Sequence, residues 1–329
     1  MDTSVKTPIM EVRDLCKYFP VQSKIRKQPL AVKAVNHISF SLFENETLSI
    51  VGESGCGKST TGRALLRLIE PTAGELIYQG KDLMQLDKAQ MRALTGELQM
   101  VFQDPYSSLN PRMTAGEIVE EPILLHQSSL SAEQRRERAM AMFQKVGLRE
   151  DQYFRYPHEF SGGQRQRIGL ARALVLHPKI VVCDEPVSAL DVSIQAQVLN
   201  LMREIQREMN VTYLFISHNM SVVRYVSDRI GVMYLGSLVE EATTEELFSN
   251  PTHPYTQALL SAIPEADPHV KKTRIALNGD IPSPLHMPSG CPFHNRCPLA
   301  KPICSDIEPA RVEIAPGHFV RCLLARKRR

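Results

Sequence analysis

Hydrophobic and polar positions along the first fifty residues predict short strands. The segments "MEVRDLCKYF" and "AVKAVNHISFSLF" alternate, and "ETLSIV" then becomes continuously apolar, as in a buried parallel strand. The basic, proline-bounded connection at 20–30 is expected to be an exposed excursion. After a glycine-rich turn, "STTGRALLRLI" has its apolar residues on one side of a helix: Leu65, Leu66, Leu68 and Ile69. The pattern predicts a strand, a glycine-rich turn and a helix.

Later segments predict a second strand–helix–strand unit. The β-rich runs "PKIVVCDEP" and "VTYLFISHN" each end in polar residues, and the helical pattern "SIQAQVLNLMREIQREM" separates them. Such a βαβ arrangement implies a parallel sheet. From about 105 to 175 the pattern is helical and charged, and "RIGVMYLGSLVEEA" predicts a closing hairpin. The fold class is therefore α/β.

The turn between the first parallel strand and its helix, "GESGCGKS", predicts a phosphate-binding loop. Gly52, Gly55 and Gly57 let the backbone curl until successive N–H groups point inward at an anion. The helix start adds unpaired N–H groups and the positive end of its dipole. Lys58 can reach the β- and γ-phosphates of a nucleotide, and the Ser59 hydroxyl can ligate Mg²⁺.

The strand "KIVVCDEP" supplies two carboxylates for the same chemistry. Asp184 and Glu185 lie at the carboxyl end of a strand, where ligands bind in open parallel sheets. Asp184 suits Mg²⁺, directly or through water, and Glu185 is placed to orient or deprotonate an attacking water. Two exposed carboxylates at the end of a strand are also common in proteins where they have no function. The functional interpretation of Asp184 and Glu185 therefore depends largely on the phosphate-binding loop in the same chain.

The stretch "FSGGQRQRIGLARAL" provides a second anion-binding helix start. Ser161, Gly162 and Gly163 open a helix whose first turn offers free N–H groups. This chain already provides a complete phosphate-binding loop for one nucleotide, so the same nucleotide does not need a second anion-binding helix start. Two chains are therefore expected to pair, each donating this helix start to the γ-phosphate bound by its partner.

Composition narrows the class of protein. The 329 residues suffice for two domains, and a net charge of +3 does not argue for nucleic acid. No apolar run approaches 18 residues, and the N-terminus lacks a basic-then-apolar signal, so a cytosolic protein is expected. Proline and cysteine become frequent after about 250, which predicts a domain at 1–250 and a small loop-rich module at 251–329.

Four of the seven cysteines crowd that module, namely Cys291, Cys297, Cys304 and Cys322. A disulfide is the poorer explanation in a reducing cytosol, and no C-x-x-C pair matches a zinc ribbon. Four thiolates in a proline-stiffened loop could still hold zinc or an iron–sulfur cluster. The alternative is that the four cysteines are free thiols in a weakly ordered tail. His294 and His318 are potential zinc ligands, so a zinc site also remains an alternative.

Over residues 8–245 the chain resembles the ATP-binding cassette (ABC) transporter ATPases. The resemblance is carried by five motifs that occur in the order found in that family: the phosphate-binding loop, "FSGGQ", "VVCDEP", "SALD" and "ISHN". The resemblance implies a P-loop NTPase (RecA-like) core with a helical subdomain at about 105–175. It also implies a nucleotide site in which Tyr18 stacks on adenine and Ser59, Gln103 and Asp184 hold Mg²⁺. The ATP-binding loop of this site would consist of Gly52, Glu53, Ser54, Gly55, Cys56, Gly57, Lys58, Ser59 and Thr60.

The same resemblance implies roles for the remaining motifs. Glu185, His218 and Gln103 would be the catalytic group, the last of them in the loop that senses the membrane partner. Ser161, Gly162, Gly163 and Gln164 would form the signature that faces the partner's ATP, and Asp191 would lie at the dimer seam. Taken alone, Tyr18 could be a strand-edge packing residue and His218 a strand-end histidine. Asn219 follows His218 where the family commonly has aspartate.

A narrower resemblance is to the F-type ATPase subunits of dipeptide and oligopeptide importers, carried by "YSSLNPRM", "NPTHPYTQALL" and "IPSPLHMPSGCPFHNRCPLAKPIC". It implies ATP and Mg²⁺ as cofactors, with a [4Fe–4S] cluster at the late cysteines and Zn²⁺ as the alternative. The implied partners are a homologous D-type ATPase, two membrane permeases and, indirectly, a peptide-binding protein, at the cytoplasmic face of the inner membrane, with no nucleic acid.

Three alternatives to a peptide importer stay open. Nickel and glutathione importers share the C-terminal module, so either could be the cargo. A soluble ABC ATPase acting on ribosomes or DNA is a second reading, which the single cassette without sustained heptads disfavours. An inactive structural subunit is a third, and the complete catalytic set argues against it.

Overall fold

The computed structural model describes residues 7–21, 30–264 and 274–327. The strands are β1 (Pro8–Val21), β2 (Leu30–Phe43), β3 (Thr47–Val51), β4 (Ala73–Tyr78), β5 (Lys81–Asp82), β6 (Leu98–Val101), β7 (Ile180–Asp184), β8 (Thr212–Ser217), β9 (Arg229–Tyr234), β10 (Ser237–Thr243), β11 (Val312–Ala315) and β12 (His318–Val320). The helices are α1 (Lys58–Leu65), α2 (Lys88–Leu94), α3 (Pro105–Ser108), α4 (Ala115–His126), α5 (Ala132–Lys145), α6 (Gly162–Leu174), α7 (Val192–Met209), α8 (Met220–Val226), α9 (Thr244–Ser249), α10 (Pro254–Ser261) and α11 (Ile303–Asp306). The predicted excursion falls largely on 22–29, outside the described residues.

The chain forms two compact units. The first contains Leu42–Glu46 and Asp82–Ile216, with the described start of the chain up to Ile9. The second contains the described residues within Met10–Ser41, Thr47–Lys81 and Ser217–Arg329. The predicted division at residue 250 remains a prediction, since this grouping follows contacts and not the order of the chain.

The first unit contains the predicted βαβ arrangement. β6, β7 and β8 are parallel neighbours, with Val182 opposite both Met100 and Leu214. All five residues of β7 are buried, as its continuous apolar run requires in a sheet covered on both faces. The predicted helical stretch contains α4, α5 and α6, each opened by a hydroxyl side chain that accepts a hydrogen bond from the first turn. The parallel sheet and its crossover helix are therefore confirmed.

The second unit combines two sheets. In one sheet, β1 lies between β2 and β4. In the other sheet, the strands of this unit have the order β11–β12–β10–β9–β3. β3 runs parallel to β9, whereas β9 and β10 form the predicted antiparallel hairpin with Ser237 opposite Tyr234. The late hairpin β11–β12 adds to the edge of β10, where Glu240 faces Val320. The described part of the C-terminal module therefore contributes two short strands to the sheet of the second unit.

The helix after the glycine-rich turn is shorter than its apolar spacing predicts. α1 ends at Leu65, and Arg67 adopts a left-handed φ of 50° that stops helical hydrogen bonding. The N–H groups of Leu68 and Ile69 donate to the carbonyl of Arg63 instead, at 2.9 and 3.4 Å. Leu68 therefore lies outside the helix and is half exposed, so the expectation that it shares one side of the helix with Leu65 is wrong.

Within the described part of the chain, no helix has the length and apolar character needed to cross a bilayer.

Candidate functional site

The phosphate-binding loop follows β3 in the second unit and has little room for side chains. A Cβ at Gly52 would lie 2.1 Å from the Met233 carbonyl oxygen, and one at Gly57 would lie 1.9 Å from that of Ala34. Gly57 also has a φ of 106°. Only glycine fits these two positions, because the loop backbone passes directly against neighbouring strands. The tight turn predicted from the glycine spacing is present.

Lys58 opens α1 and curls back over this loop. Its ammonium donates to the carbonyl oxygens of Gly52 at 2.9 Å and Glu53 at 3.0 Å. Its side chain is buried, which is unusual for lysine, and these two carbonyls replace the water that it loses. The loop therefore holds a positive charge beside its own backbone N–H groups. That arrangement suits a phosphate.

The rest of the loop is open to solvent on one side. Ser54 and Gly55 are exposed, and Ser59 and Thr60 are half-buried at the helix start. Cys56 is buried, and burial raises the pKa of its thiol. An inert, protonated Cys56 is expected, so its place in the loop reflects packing and not nucleophilic chemistry.

Tyr18 lies on β1 in the second unit, and its hydroxyl donates to Asn36 Oδ1 at 2.8 Å. The Lys33 ammonium lies 5.7 Å from the centre of the Tyr18 ring. Partial burial together with the Cys16 thiol raises the pKa of the phenol. The ring is only partly buried, so its role in stacking on adenine remains a prediction.

Asp184 and Glu185 end β7 in the first unit and differ in environment. Asp184 is fully buried, whereas Glu185 is partly exposed and has a left-handed φ of 46°. The Glu185 N–H donates to the carbonyl of Ile216 at 2.9 Å, which holds this unusual backbone conformation. The two adjacent carboxylates therefore differ in their access to solvent. A metal-binding and a water-orienting role can therefore be divided between them.

Gln103 is brought to Glu185 although 82 residues separate them in sequence. Its amide Nε2 donates to Glu185 Oε2 at 3.0 Å. Gln103 follows β6 and Glu185 follows β7, and these strands are parallel neighbours, so both residues emerge at the same sheet edge. Within the first unit the structure therefore joins two of the predicted catalytic residues.

The signature helix α6 begins with a complete capping box. Ser161 Oγ accepts a hydrogen bond from the Gln164 N–H at 3.4 Å, and Gln164 Oε1 accepts one from the Ser161 N–H at 3.0 Å. Ser161 and Gly162 are exposed, and a Cβ at Gly163 would lie 2.5 Å from Ile194 Cγ2 on α7. The N–H groups of Gly162 and Gly163 are thus presented at an exposed helix start, as an anion site requires.

Asp191 and His218 occupy exposed positions at element ends. Asp191 precedes α7 without a side-chain capping bond, and His218 follows β8. The next residue, Asn219, caps α8 by accepting from the N–H groups of Ser221 at 2.9 Å and Val222 at 3.3 Å. Asparagine in place of the family's aspartate thus has a local structural role, since either side chain caps a helix well.

Residues that the sequence did not single out also hold the phosphate-binding loop. The Tyr255 hydroxyl accepts a hydrogen bond from the Glu53 N–H at 2.9 Å. The Arg296 guanidinium donates to both Glu53 carboxylate oxygens, at 2.8 and 3.1 Å. A lone arginine between two cysteines carries no motif, so only the packing of the C-terminal module reveals this contact.

The metal site expected at the late cysteines is not supported by the structure. Among the described residues no cluster of three or more His, Cys, Asp or Glu side chains is arranged to hold a metal ion. Burial raises the pKa of Cys291 to about 11 and also raises the pKa values of Cys297 and Cys322. Cys304 is buried, and its carbonyl accepts the Cys291 N–H at 2.8 Å. The iron–sulfur expectation is not supported by these observations.

The two histidines considered for zinc have other partners. The ring nitrogens of His318 lie 2.8 Å from Glu240 Oε1 and 3.1 Å from Glu246 Oε1. His294 Nδ1 lies 2.8 Å from the carbonyl of Cys291. Since His318 is occupied by two carboxylates, the zinc alternative is not supported either.

Family models match most of the chain. The model described as ABC transporter matches residues 35–188, and the one described as oligopeptide/dipeptide transporter, C-terminal region, matches residues 239–304. A solved structure titled "Dimeric Structure of MJ0796, a Bacterial ABC Transporter Cassette" is similar with a TM-score of 0.64 at 29% identity, covering 71% of this chain and 98% of its own.

Curated relatives extend the similarity to the whole length. The oligopeptide transport ATP-binding protein AppF of Bacillus subtilis is 53% identical, covering 98% of this chain and 99% of its own. The dipeptide transport ATP-binding protein DppF of Escherichia coli is 50% identical, covering 98% and 96%. The phosphate-binding loop, the paired carboxylates of β7 and the capped signature helix are thus found in a chain that belongs to the family of ATP-binding subunits of oligopeptide and dipeptide ABC transporters.

Proposed function

We propose that this chain is the ATP-hydrolysing subunit that powers uptake of di- or oligopeptides through a membrane transporter. One observation carries the cargo assignment: relatives about 50% identical over nearly the full length, including the C-terminal module, are named for peptide transport. Import of nickel or glutathione is the second candidate, because the module by itself does not distinguish these cargoes.

In the proposed cycle, Tyr18 stacks on adenine and the loop Gly52–Thr60 binds the phosphates of ATP. Ser59, Gln103 and Asp184 are the residues that would hold Mg²⁺, and Asp184 offers the oxygen ligand that this ion prefers. Bound Mg²⁺ supplies neutralisation of charge on the β- and γ-phosphates. Glu185 orients the attacking water, with its carboxylate held by the Gln103 amide, and His218 stabilises charge at the γ-phosphate.

The proposed active form is a pair of ATPase subunits. Ser161–Gln164 of each chain would face the nucleotide of the other, with Asp191 at the seam between them. The exposed, capped start of α6 supports this proposal, because its N–H groups are available to an anion from outside the chain. The partner is proposed to be a homologous D-type subunit. Because Glu185 and the signature are both present here, both composite sites are expected to hydrolyse ATP when the partner is also intact.

The proposed setting is the cytoplasmic face of the inner membrane, beneath two permease subunits that receive cargo from a peptide-binding protein. Closure of the two ATPase subunits on ATP would drive the permeases, and hydrolysis would reset them. Gln103 is the proposed link to the membrane subunits, since it follows β6 at the exposed edge where it also contacts Glu185.

The test is transport by vesicles containing the permeases, both ATPase subunits and the binding protein. We expect labelled dipeptide to accumulate only with ATP present, and an E185Q variant of this chain to reduce accumulation severely. Nickel and glutathione serve as competing cargoes in the same vesicles. Accumulation of either one in place of the dipeptide would reject the peptide assignment while leaving the ATPase assignment intact.

A further inference from the structure

The phosphate-binding loop is clamped by a residue from the far end of the chain. Arg296, at the end of the short helical turn His294–Arg296, donates two hydrogen bonds to Glu53, the second residue of the loop. The Arg296 side chain is 8% exposed and the Glu53 side chain 26%. A bidentate pair in this geometry is among the stronger charge-assisted contacts that proteins make. It joins two residues 243 positions apart.

Aromatic side chains pack around this contact. Phe293, immediately before the turn, is buried with its ring centre 5.1 Å from that of Tyr234 and 5.4 Å from that of Tyr255. The Arg296 guanidinium lies 5.9 Å from the Tyr234 ring centre. Tyr255 in turn accepts the Glu53 N–H. Both the main chain and the side chain of Glu53 are therefore held by residues beyond 250.

Glu53 passes this restraint to the lysine of the loop. The Glu53 carbonyl accepts a hydrogen bond from the Lys58 ammonium at 3.0 Å, while the Glu53 carboxylate binds Arg296. The path from the C-terminal module to the phosphate-binding cation thus consists of two successive contacts, Arg296 to Glu53 and Glu53 to Lys58. A shift of Glu53 would move the carbonyl that sets the position of the Lys58 ammonium.

The ion pair between Arg296 and Glu53 also affects the charge that the phosphate-binding loop presents to ATP. ATP brings several negative charges to a loop that contains a carboxylate, and like charges in a partly buried site repel strongly. Arg296 neutralises that carboxylate and turns it toward the C-terminal module. Without Arg296, the Glu53 carboxylate would be uncompensated in the loop that binds phosphate.

We infer that Arg296 is a positioning residue for ATP binding, which acts through Glu53 to hold Lys58 in place and to remove the carboxylate's repulsion of the phosphates. The C-terminal module is then part of the nucleotide site and not only an appended element. This inference rests on the proposed function, because it needs the loop Gly52–Thr60 to bind the phosphates of ATP.

The experiment measures the dissociation constant of a fluorescent ATP analogue in the full-length chain. We expect R296M to weaken binding by about tenfold, and R296K, which keeps the charge but not the bidentate geometry, to lie between R296M and the wild type. In an E53Q background, the same R296M change should alter binding by less than about twofold, because the carboxylate on which it acts is gone. Raised salt should reduce the R296M defect by screening the exposed carboxylate.

The matched control is R311M. Arg311 belongs to the same module and forms an ion pair with Glu241 at 3.1 Å. This ion pair does not involve a residue of the phosphate-binding loop. R311M should lower the unfolding temperature without changing ATP affinity. R296K and the E53Q background keep the measurement possible where R296M alone does not fold.

The outcomes separate the inference from the proposed function. A wild-type chain that binds no nucleotide would reject the proposed function and this inference with it. Normal binding by the wild type and by R296M, with only the unfolding temperature reduced, would show that Arg296 has a purely structural role. An equal loss of affinity in R296M with and without E53Q would also overturn the inference, because the effect would not pass through Glu53.

Discussion

The Gln103 amide donates a 3.0 Å hydrogen bond to the Glu185 carboxylate and thereby links two loops that follow neighbouring parallel strands. One Glu185 oxygen is occupied by this contact. We propose that the Glu185 carboxylate orients, or accepts a proton from, the attacking water. The contact also couples a surface-exposed glutamine to the carboxylate that we propose to be catalytic.

Replacing Glu185 with glutamine should separate ATP binding from hydrolysis. The amide keeps the size of the side chain but cannot accept a proton, so we expect the ATPase rate to fall at least about hundredfold while ATP affinity is retained. The measurement is steady-state ATP turnover alongside equilibrium binding, with trapped dimers detected by size-exclusion chromatography. Turnover at the wild-type rate would remove Glu185 from this role.

Replacing Lys58 with alanine should abolish tight ATP binding. The buried ammonium held by the Gly52 and Glu53 carbonyls is the proposed phosphate-binding cation, so its loss removes the positive side chain from the loop. We expect at least about a hundredfold weaker binding by calorimetry. Lys81, exposed at β5, is the control, and K81A should bind ATP normally. Equal affinity of K58A and K81A would contradict the assignment of the loop.

Removing the cap of the signature helix should affect catalysis as well as stability. Ser161 and Ser131 cap α6 and α5 with the same capping box, so S161A and S131A should each lower the free energy of unfolding by about 1 kcal/mol. Only S161A should also reduce ATP turnover by the assembled pair, because only α6 is proposed to face the partner's nucleotide. Equal turnover in the two variants would place the signature away from the chemistry.

The stability of the C-terminal module should fall as pH rises above neutrality. Burial lowers the pKa of His318, but hydrogen bonds and charge from Glu240 and Glu246 outweigh burial, and the pKa is raised above its ordinary value. A histidine with a raised folded-state pKa stabilises the fold below its unfolded pKa of about 6.5, and this contribution disappears as pH increases through the folded-state value. Unfolding temperature measured between pH 6 and pH 9 should therefore decrease across that window.

The H318Q variant tests the origin of this pH dependence. It removes the imidazolium but keeps a hydrogen-bond donor, so its unfolding temperature should be lower than that of the wild type near pH 6 and nearly independent of pH above it. Neighbouring His253 does not interfere, because burial lowers its pKa to about 4 and it is neutral throughout. Glu241, the adjacent buried carboxylate, is paired with Arg229 and Arg311. An unchanged pH profile in H318Q would assign the effect to another group.

Local chemistry made much of the nucleotide-binding machinery visible in the sequence. The turn before Lys58 is a run of glycines and a lysine between an apolar strand and a helix, and the signature helix begins with a Ser–x–x–Gln capping box. The parallel relation of β7 and β8 follows from the helix between them. Patterns of this kind depend on neighbours within a few residues, so they can be read without knowing the rest of the fold.

Contacts between distant residues could not be read in this way. The sequence determined the order of the motifs, the α/β class and the residue types offered to ATP, because strand and helix patterns and turn chemistry are local. Only the tertiary structure decided that Arg296 holds Glu53 and that Glu240 and Glu246 hold His318, and within its described residues it gives no support for a metal site at the late thiols. These contacts join residues far apart in the chain, such as Arg296 and Glu53 at a separation of 243 positions, and no local spacing encodes them.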